Sequence, residues 1–464
     1  MHDDLVPPMP WIHGWIEEIF RQGLRRPGSP ADLRAEELAL GCFRELGLDR
    51  VRGEPVRVPK GAPLRGSLRI RAGNRAFEVE CLPLPFSAPT EGLVLELVPF
   101  DPEHPEAVAG HASLAVEPLL RVPALFPVAG AGALATLIET SGPELHTGGR
   151  LHDPSGSLTH TTQVLPFGPR FQQVMEPSIR AGARAFVGVL EGYPGDSCRY
   201  YVPYDGIFRE IPGVWIRGSD GARLQELCEA GPVEIELASE VERGEVECRN
   251  IVGELDGPGE DLVVIGSHHD GPWASAVEDA SGVALVLAQA AYWSRIPAAE
   301  RPHRMLFLLN AAHMASGAGC RAFLEAHAGE LDRIVLEVHL EHAAREFREG
   351  AQGLEPTGEP EPRWWFTSRI PLLEAAVAEA LSAEELGRSL ILPPDAFGSH
   401  PTTDGGFFHL HGVPLVNFLT APFYLFDEMD RMDKVDADSL VPVTRAAIRI
   451  LEATRGVPAA EMRG

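Results

Sequence analysis

The chain has no long apolar run. None of its hydrophobic stretches approaches the roughly 20 residues that a membrane-spanning helix needs. It is also short of basic residues, with 40 Lys and Arg against 67 Asp and Glu and a formal net charge of −27. Such a surface repels phosphate backbones and anionic bilayers, which argues against nucleic-acid and membrane partners. Solubility is the plain reason for so much negative charge. Cysteine is scarce: Cys42, Cys81, Cys198, Cys228, Cys248 and Cys320 are scattered, with no close pair. That excludes a disulfide framework and a Cys-based zinc site, and it suits free thiols in a reducing compartment. The first residues, Met1-His-Asp-Asp-Leu-Val-Pro-Pro8, lack the basic start and apolar core of a signal peptide. The expected location is therefore cytoplasmic. No internal repeat is visible.

What is present is ordinary globular material. The hydrophobic content of 44% and charged content of 23% are typical, and 464 residues suffice for two to three domains with cores. Trp11-Ile12, Trp15-Ile16 and Ile19-Phe20 recur at helical spacing, and Ser29-Pro30 opens a second helix with Ser29 as cap. From Val51 to Val98 short alternating segments separated by Pro and Gly read as β structure. Ala181–Leu190 reads as a helix end entering a buried strand, Ile211–Ile216 as a strand, Asp220–Leu227 as a helix and Val233–Leu237 as a strand. After Arg249, strands at 250–255, 261–267, 304–309, 334–340 and 414–419 alternate with helices at 280–294, 319–327, 370–386 and 439–454. Alternating units with nearly continuous apolar strands imply a largely parallel sheet covered on both faces. Its cleft should lie beyond the carboxyl ends of the strands. Glu346–Arg363, rich in Gly, Pro and Glu, reads as a flexible loop.

The polar residues that fall at those strand ends carry the chemistry. Asp261–Ile265 is an apolar run that leads into Gly266-Ser-His268-His-Asp270, and Val277-Glu278-Asp279-Ala-Ser-Gly282 then opens an apolar helix. His268 and Asp270, two apart, share a face on extended backbone, so the carboxylate can orient the ring as in metal sites. Acidic residues at a helix start are also favoured by the free N–H groups there, so Asp279 as a simple cap is the plain alternative. His313 and Glu341 follow two further strands. His268 with the acidic pair Glu278-Asp279 reads as a metal site, and Glu341 falls at the same strand ends; such nitrogen and oxygen donors suit zinc, manganese or iron. His269, His339, His342, His400, His409 and His411 are further imidazoles, with His342 and His400 the best placed as relocated ligands. Trp273 and Trp364-Trp365 read as buried packing.

These motifs resemble metallopeptidase family 28, the co-catalytic zinc aminopeptidases and glutamate carboxypeptidases. Leu306-Phe-Leu-Leu-Asn-Ala-Ala312, Val338-His-Leu-Glu341, Thr403-Asp404-Gly-Gly-Phe407, Gly412-Val-Pro414, and Asp430 with Asp433-Lys-Val-Asp436 carry the likeness further. The resemblance implies a zinc-peptidase-like α/β fold, with a mixed, mostly parallel sheet and helices on both faces. Residues 1–50 would pack on the core, 51–245 would form a β-rich domain containing a protease-associated-like insert, and 246–464 would form the aminopeptidase-like domain. It also implies two zinc ions, and here the chain departs from it. Met314 stands where the family has a Glu ligand, Phe426 where it has a late His, with Asp427 beside it as the other candidate. His313 stands at the position of the general-base Glu, and an imidazole can take a proton from water near neutral pH.

The expected function is therefore a metal-dependent hydrolase of amide or peptide bonds using one divalent metal ion, zinc by family likeness. His313 and Asp270 are the catalytic residues, and His268, Glu278 and Glu341 hold the metal. Its partner would be a small peptide or amide substrate, with homo-oligomerisation left open. The alternative is a catalytically degenerate homologue that keeps the fold for binding or assembly.

Overall fold

The structure is a computed structural model that describes residues 1–128, 148–166, 173–350 and 353–463. The apolar runs of the second half become the central strands of a mixed sheet. Leu262–His268 lies parallel to Arg304–Asn310 on one side and to Ile334–Leu340 on the other. Leu415–Thr420 extends the parallel set beyond Ile334–Leu340. Arg363–Thr367 then pairs antiparallel with Leu415–Thr420 and parallel with Ser389–Leu392. Alternate residues of the central strands face opposite sides. Val263, Ile265, Phe307 and Leu309 pack with Ile12, Ile16, Phe43 and the helices Gly282–Trp293 and Leu440–Ala453. Leu262, Val264, Leu306 and Leu308 pack instead with Cys320, Phe323 and Phe408. The sheet is thus covered on both faces, and the mixed α/β fold expected from the sequence is what the chain adopts.

The N-terminal helices are Met9–Phe20 and Pro30–Glu45, and Ser29 caps the second by accepting from the Asp32 amide at 3.1 Å. They cover the Gly282–Trp293 helix, all of whose residues are buried. Two very long strands leave this core, Asp49–Ala72 and Val233–Leu255, paired antiparallel over most of their length. The sequence reading divided the second into separate strands at 233–237 and 250–255. The polar Glu240–Glu247 stretch between them is strand as well, because cross-strand ion pairs such as Arg65–Glu240 and Lys60–Glu242 line one face while Val241 is buried on the other. At its far end the ribbon enters a second sheet. There Thr90–Pro99, Ala112–Pro118, Ala185–Glu191 and Gly213–Arg217 run parallel over a separate apolar cluster. The residue limits 51 and 245 of the expected β-rich domain fall inside the two ribbon strands. Arg150–His152, from the same stretch, pairs with Ser389–Leu392 at the edge of the main sheet.

The Glu346–Arg363 stretch is not the flexible loop expected. Arg345–Gly350 and Gly353–Pro360 form an antiparallel hairpin. Phe347 is buried against Tyr424 and Arg388 pairs with Glu346, so a segment of polar composition has an anchored inner face. No helix among the described residues is long and apolar enough to cross a membrane. All six cysteines are free thiols.

At the base of the hairpin the Glu361 side chain is buried and accepts from Gln163 Nε2 at 3.1 Å. Burial, with Glu346 nearby, pushes its carboxyl from the ordinary 4.5 to about 8. A folded-state pKa above the unfolded one means that folding takes up the proton. The stability linked to it is complete below about pH 4.5 and is lost as pH rises through about 8. The Glu361→Gln variant should therefore match the native chain in thermal midpoint near pH 4.5 and exceed it above pH 8. A constant difference across that range would contradict the assignment.

Candidate metal centre and active site

The site is built where Leu262–His268 ends and the chain loops towards the Gly282–Trp293 helix. This loop is held from two sides. From one side the Arg25 side chain, fully buried, donates from Nε to the His269 carbonyl at 3.1 Å. Its Nη2 donates to the carbonyls of Ser275 at 3.0 Å and Glu278 at 3.3 Å, and its Nη1 to that of Ala274. Burial lowers its pKa against the pull of Asp430, Asp32, Asp270 and Asp279. From the other side the Asp430 carboxylate accepts from the amides of Ala276 at 3.2 Å, Val277 at 2.8 Å and Glu278 at 2.9 Å. With its main chain occupied in both directions, Glu278 turns its side chain inward. Gly282 is required next to it, since a Cβ there would lie 2.4 Å from the Leu340 carbonyl.

His268, Glu278 and Glu341 are all brought to this place and fully buried. The His268 ring uses Nδ1 on the Asp270 carbonyl oxygen at 3.1 Å, with the Asp270 carboxylate at 3.5 Å. That leaves Nε2 facing Glu278 Oε1 at 3.4 Å and Asp279 Oδ2 at 3.8 Å. Glu341 Oε1 is engaged by His339 Nε2 at 2.9 Å, and His339 Nδ1 by Glu337 at 2.7 Å. His342, the residue after Glu341, places Nε2 2.5 Å from Glu278 Oε2 and 3.8 Å from Glu341 Oε2. His268 Nε2, both Glu278 oxygens, Glu341 Oε2 and His342 Nε2 are buried without hydrogen-bond partners. Unpaired buried groups of this kind are costly. Nitrogen and carboxylate donors left open together suit a divalent cation.

Ligand-type atoms of His268, Glu278 and His313 lie within 4.8 Å of one another, as do those of His268, Asp279 and Glu341. Asp279 is the weaker donor of these. Its oxygens already accept from Ser267 Oγ, from the Gly282 amide at 3.1 Å and from the His342 amide at 3.2 Å. Burial pushes its carboxyl up to about 6, against the pull of His268 and His342. Glu278 behaves in the opposite way. Burial would raise it, but His342 and His268 beside it hold it well below the usual carboxylate range. Glu341 is likewise held at about 2, burial being outweighed by His339 and by the His342 and His268 charges.

His313 stacks on His268 with ring centroids 4.2 Å apart. Its Nδ1 donates to Asp404 Oδ1 at 3.1 Å, which leaves Nε2 as the nitrogen able to accept a proton. The Asp270 carboxylate receives the amides of His313 at 3.0 Å and Met314 at 2.8 Å, so it fixes the His313 backbone as well as flanking His268. Met314 and Phe426 are buried, and Phe426 packs on Tyr204, which lies against His313. The segment carrying Tyr200 and Tyr204 therefore walls one side of the centre. His400 does not enter the cluster, since its Nδ1 is used by the Pro401 carbonyl. His269 is taken by Asp32 and the Arg249 carbonyl. Trp273 is buried between Arg26 and Arg199, and Trp364 and Trp365 are core residues.

Part of the chain matches a known family. Residues 250–451 match Peptidase family M28. The matched span holds His268, Asp270, Glu278, Asp279, His313, Glu341, His342, Asp404 and Asp430, and it supports a peptidase function. An aminopeptidase from Aneurinibacillus sp. strain AM-1 superposes with a TM-score of 0.65 at 17% identity, covering 98% of this chain and 97% of that one. An M28 peptidase precursor from Shewanella amazonensis SB2B gives 0.71 at 18% identity, over 96% and 93%. The zinc aminopeptidase BSAP from Bacillus subtilis gives 0.66 at 15%, over 96% and 95%. These likenesses establish a shared fold along nearly the whole chain. Among curated proteins, none matches the chain.

Four residues central to this M28-like centre were not singled out by the sequence as its parts. Asp404 lies in a segment of the M28 resemblance, yet its pairing with His313 spans 91 residues. Arg25 reaches the loop from 244 residues away, and Asp430 from 152. His339 could have been flagged by the Glu337, His339, Glu341 alternation, which places all three on one strand face. The loop clamp yields a test. In Asp430→Ala three buried amides lose their acceptor, so stability should fall by about 3 kcal/mol or more. Denaturant unfolding should read this, with faster hydrogen exchange at residues 276–278. Unchanged stability and exchange would contradict the clamp.

Proposed function

We propose that this chain is a metal-dependent hydrolase of amide or peptide bonds, aminopeptidase-like, that works with a single divalent ion. The observation that carries the reading is the group of unpartnered buried donors on His268, Glu278 and Glu341. These residues would hold the ion. Zinc is favoured by the M28 match and by the zinc named for the Bacillus subtilis aminopeptidase, while manganese and iron suit the same donors. Met314 and Phe426 support one ion rather than two, since neither a thioether among oxygen donors nor a phenyl ring recovers the affinity of a carboxylate or imidazole. A divalent ion bound there supplies Lewis acidity to a scissile carbonyl and acidity to water.

The protein's own contribution is proton handling and positioning. His313 would receive the proton at Nε2, while Asp404 at Nδ1 keeps the ring in that tautomer and stabilises the imidazolium. Asp270 holds the His313 main chain and the His268 ring in fixed relation. Tyr204 and Phe426 limit water on the side they cover.

With metal supplied, the full chain should hydrolyse members of a panel of aminoacyl amides and dipeptides, lose that activity to a chelator and regain it with added metal. His313→Gln should lower kcat by roughly 100-fold or more with KM little changed, as expected for a general base. His268→Ala should lose the bound metal. A His313→Gln variant with native kcat would refute the base. A metal-loaded chain inert on the whole panel would favour the non-catalytic homologue.

A further inference from the structure

We propose that His342 is a fourth metal ligand, so that the ion lies among two imidazoles and two carboxylates; this rests on the metal-site reading above. His342 is anchored as ligand histidines are. Its ring Nδ1 donates to the Thr420 carbonyl at 3.0 Å, and its own carbonyl accepts from Thr420 Oγ1. Its amide donates to Asp279 at 3.2 Å. A ring whose Nδ1–H is committed to a carbonyl presents the Nε2 lone pair outward. That nitrogen is buried, has no hydrogen-bond partner, and faces one oxygen each of Glu278 and Glu341. A buried nitrogen donor that faces two carboxylates is a setting that suits a divalent cation.

His268 is the counterpart on the other side. It commits Nδ1 to the Asp270 carbonyl and leaves Nε2 open towards Glu278 Oε1. Glu278 thus has an imidazole facing each of its oxygens. The two positions that carry apolar side chains, Met314 and Phe426, lie on the His313 side of the cluster. His342 arrives from the end of the Ile334–Leu340 strand instead. The chain therefore regains a nitrogen donor from a new direction while keeping one ion.

The test uses the full chain loaded with one equivalent of zinc, read by zinc X-ray absorption and by chelator competition. The native chain should show two imidazoles per zinc. His342→Ala should show one and bind zinc more than about 100-fold more weakly, beyond the 10- to 100-fold loss usual for an orienting partner. One imidazole per zinc in the native chain, with unchanged affinity in His342→Ala, overturns the proposal. In that case loss of zinc in His268→Ala would leave the metal-site reading standing. Failure of the native chain to bind zinc, or native affinity in His268→Ala, overturns both. If His342→Ala folds poorly, His342→Gln serves in its place. Because His313 lies within reach of the same ion, His313→Gln is the control, and it should keep two imidazoles per zinc.

Discussion

The centre depends on one arrangement: the loop before the Gly282–Trp293 helix is gripped by its carbonyls through Arg25 and by its amides through Asp430. A buried guanidinium is tolerated only when its donors are used, and here the His269–Glu278 carbonyls use them. The loop in turn cannot relax, because releasing either grip would leave several main-chain groups buried and unpaired. Glu278 is presented as a consequence of this, with no hydrogen bond of its own to satisfy it. The connection between the two N-terminal helices, which carries Arg25, is for this reason part of the site, although it supplies none of the metal donors.

The second consequence is electrostatic. Glu278, Asp279, Glu337 and Glu341 are packed into one buried region with His268, His339 and His342. His339, between Glu337 and Glu341, has its pKa driven well above the ordinary value, because the two carboxylates outweigh burial. It neutralises the outer part of the cluster and fixes Glu341. The inner part, around Glu278, has no such internal partner with proper alignment, and that contrast separates orienting residues from those aimed at an ion. His313 sits at the border, tied to Asp404 on one ring nitrogen and stacked on His268.

The α/β core was legible in the sequence because its strands are continuous apolar runs and its helices carry the 3.6-residue period. The residues at strand ends, His268, His313 and Glu341, could be read for the same reason: strand order alone brings them to one edge of the sheet. Glu278 was legible through its motif. Arg25 left no local pattern, and although Asp404 and Asp430 fall in segments of the resemblance, their roles come from tertiary contacts that the sequence does not display. The Arg345–Pro360 hairpin was mistaken for a loop because its anchoring partners, Tyr424 and Arg388, lie outside it. The long ribbon was broken into pieces because the Glu240–Glu247 stretch is dominated by charged residues, a composition that reads as a connection until the partner strand is seen.

The central claim is that this donor set binds one divalent ion. Elemental analysis of the full-length chain, purified without chelator and without added metal, tests it most directly. The account predicts close to one zinc, manganese or iron per chain. Two ions per chain would contradict it and restore the ordinary two-metal peptidase, and a chain free of metal that also fails to take up any would contradict it from the other side.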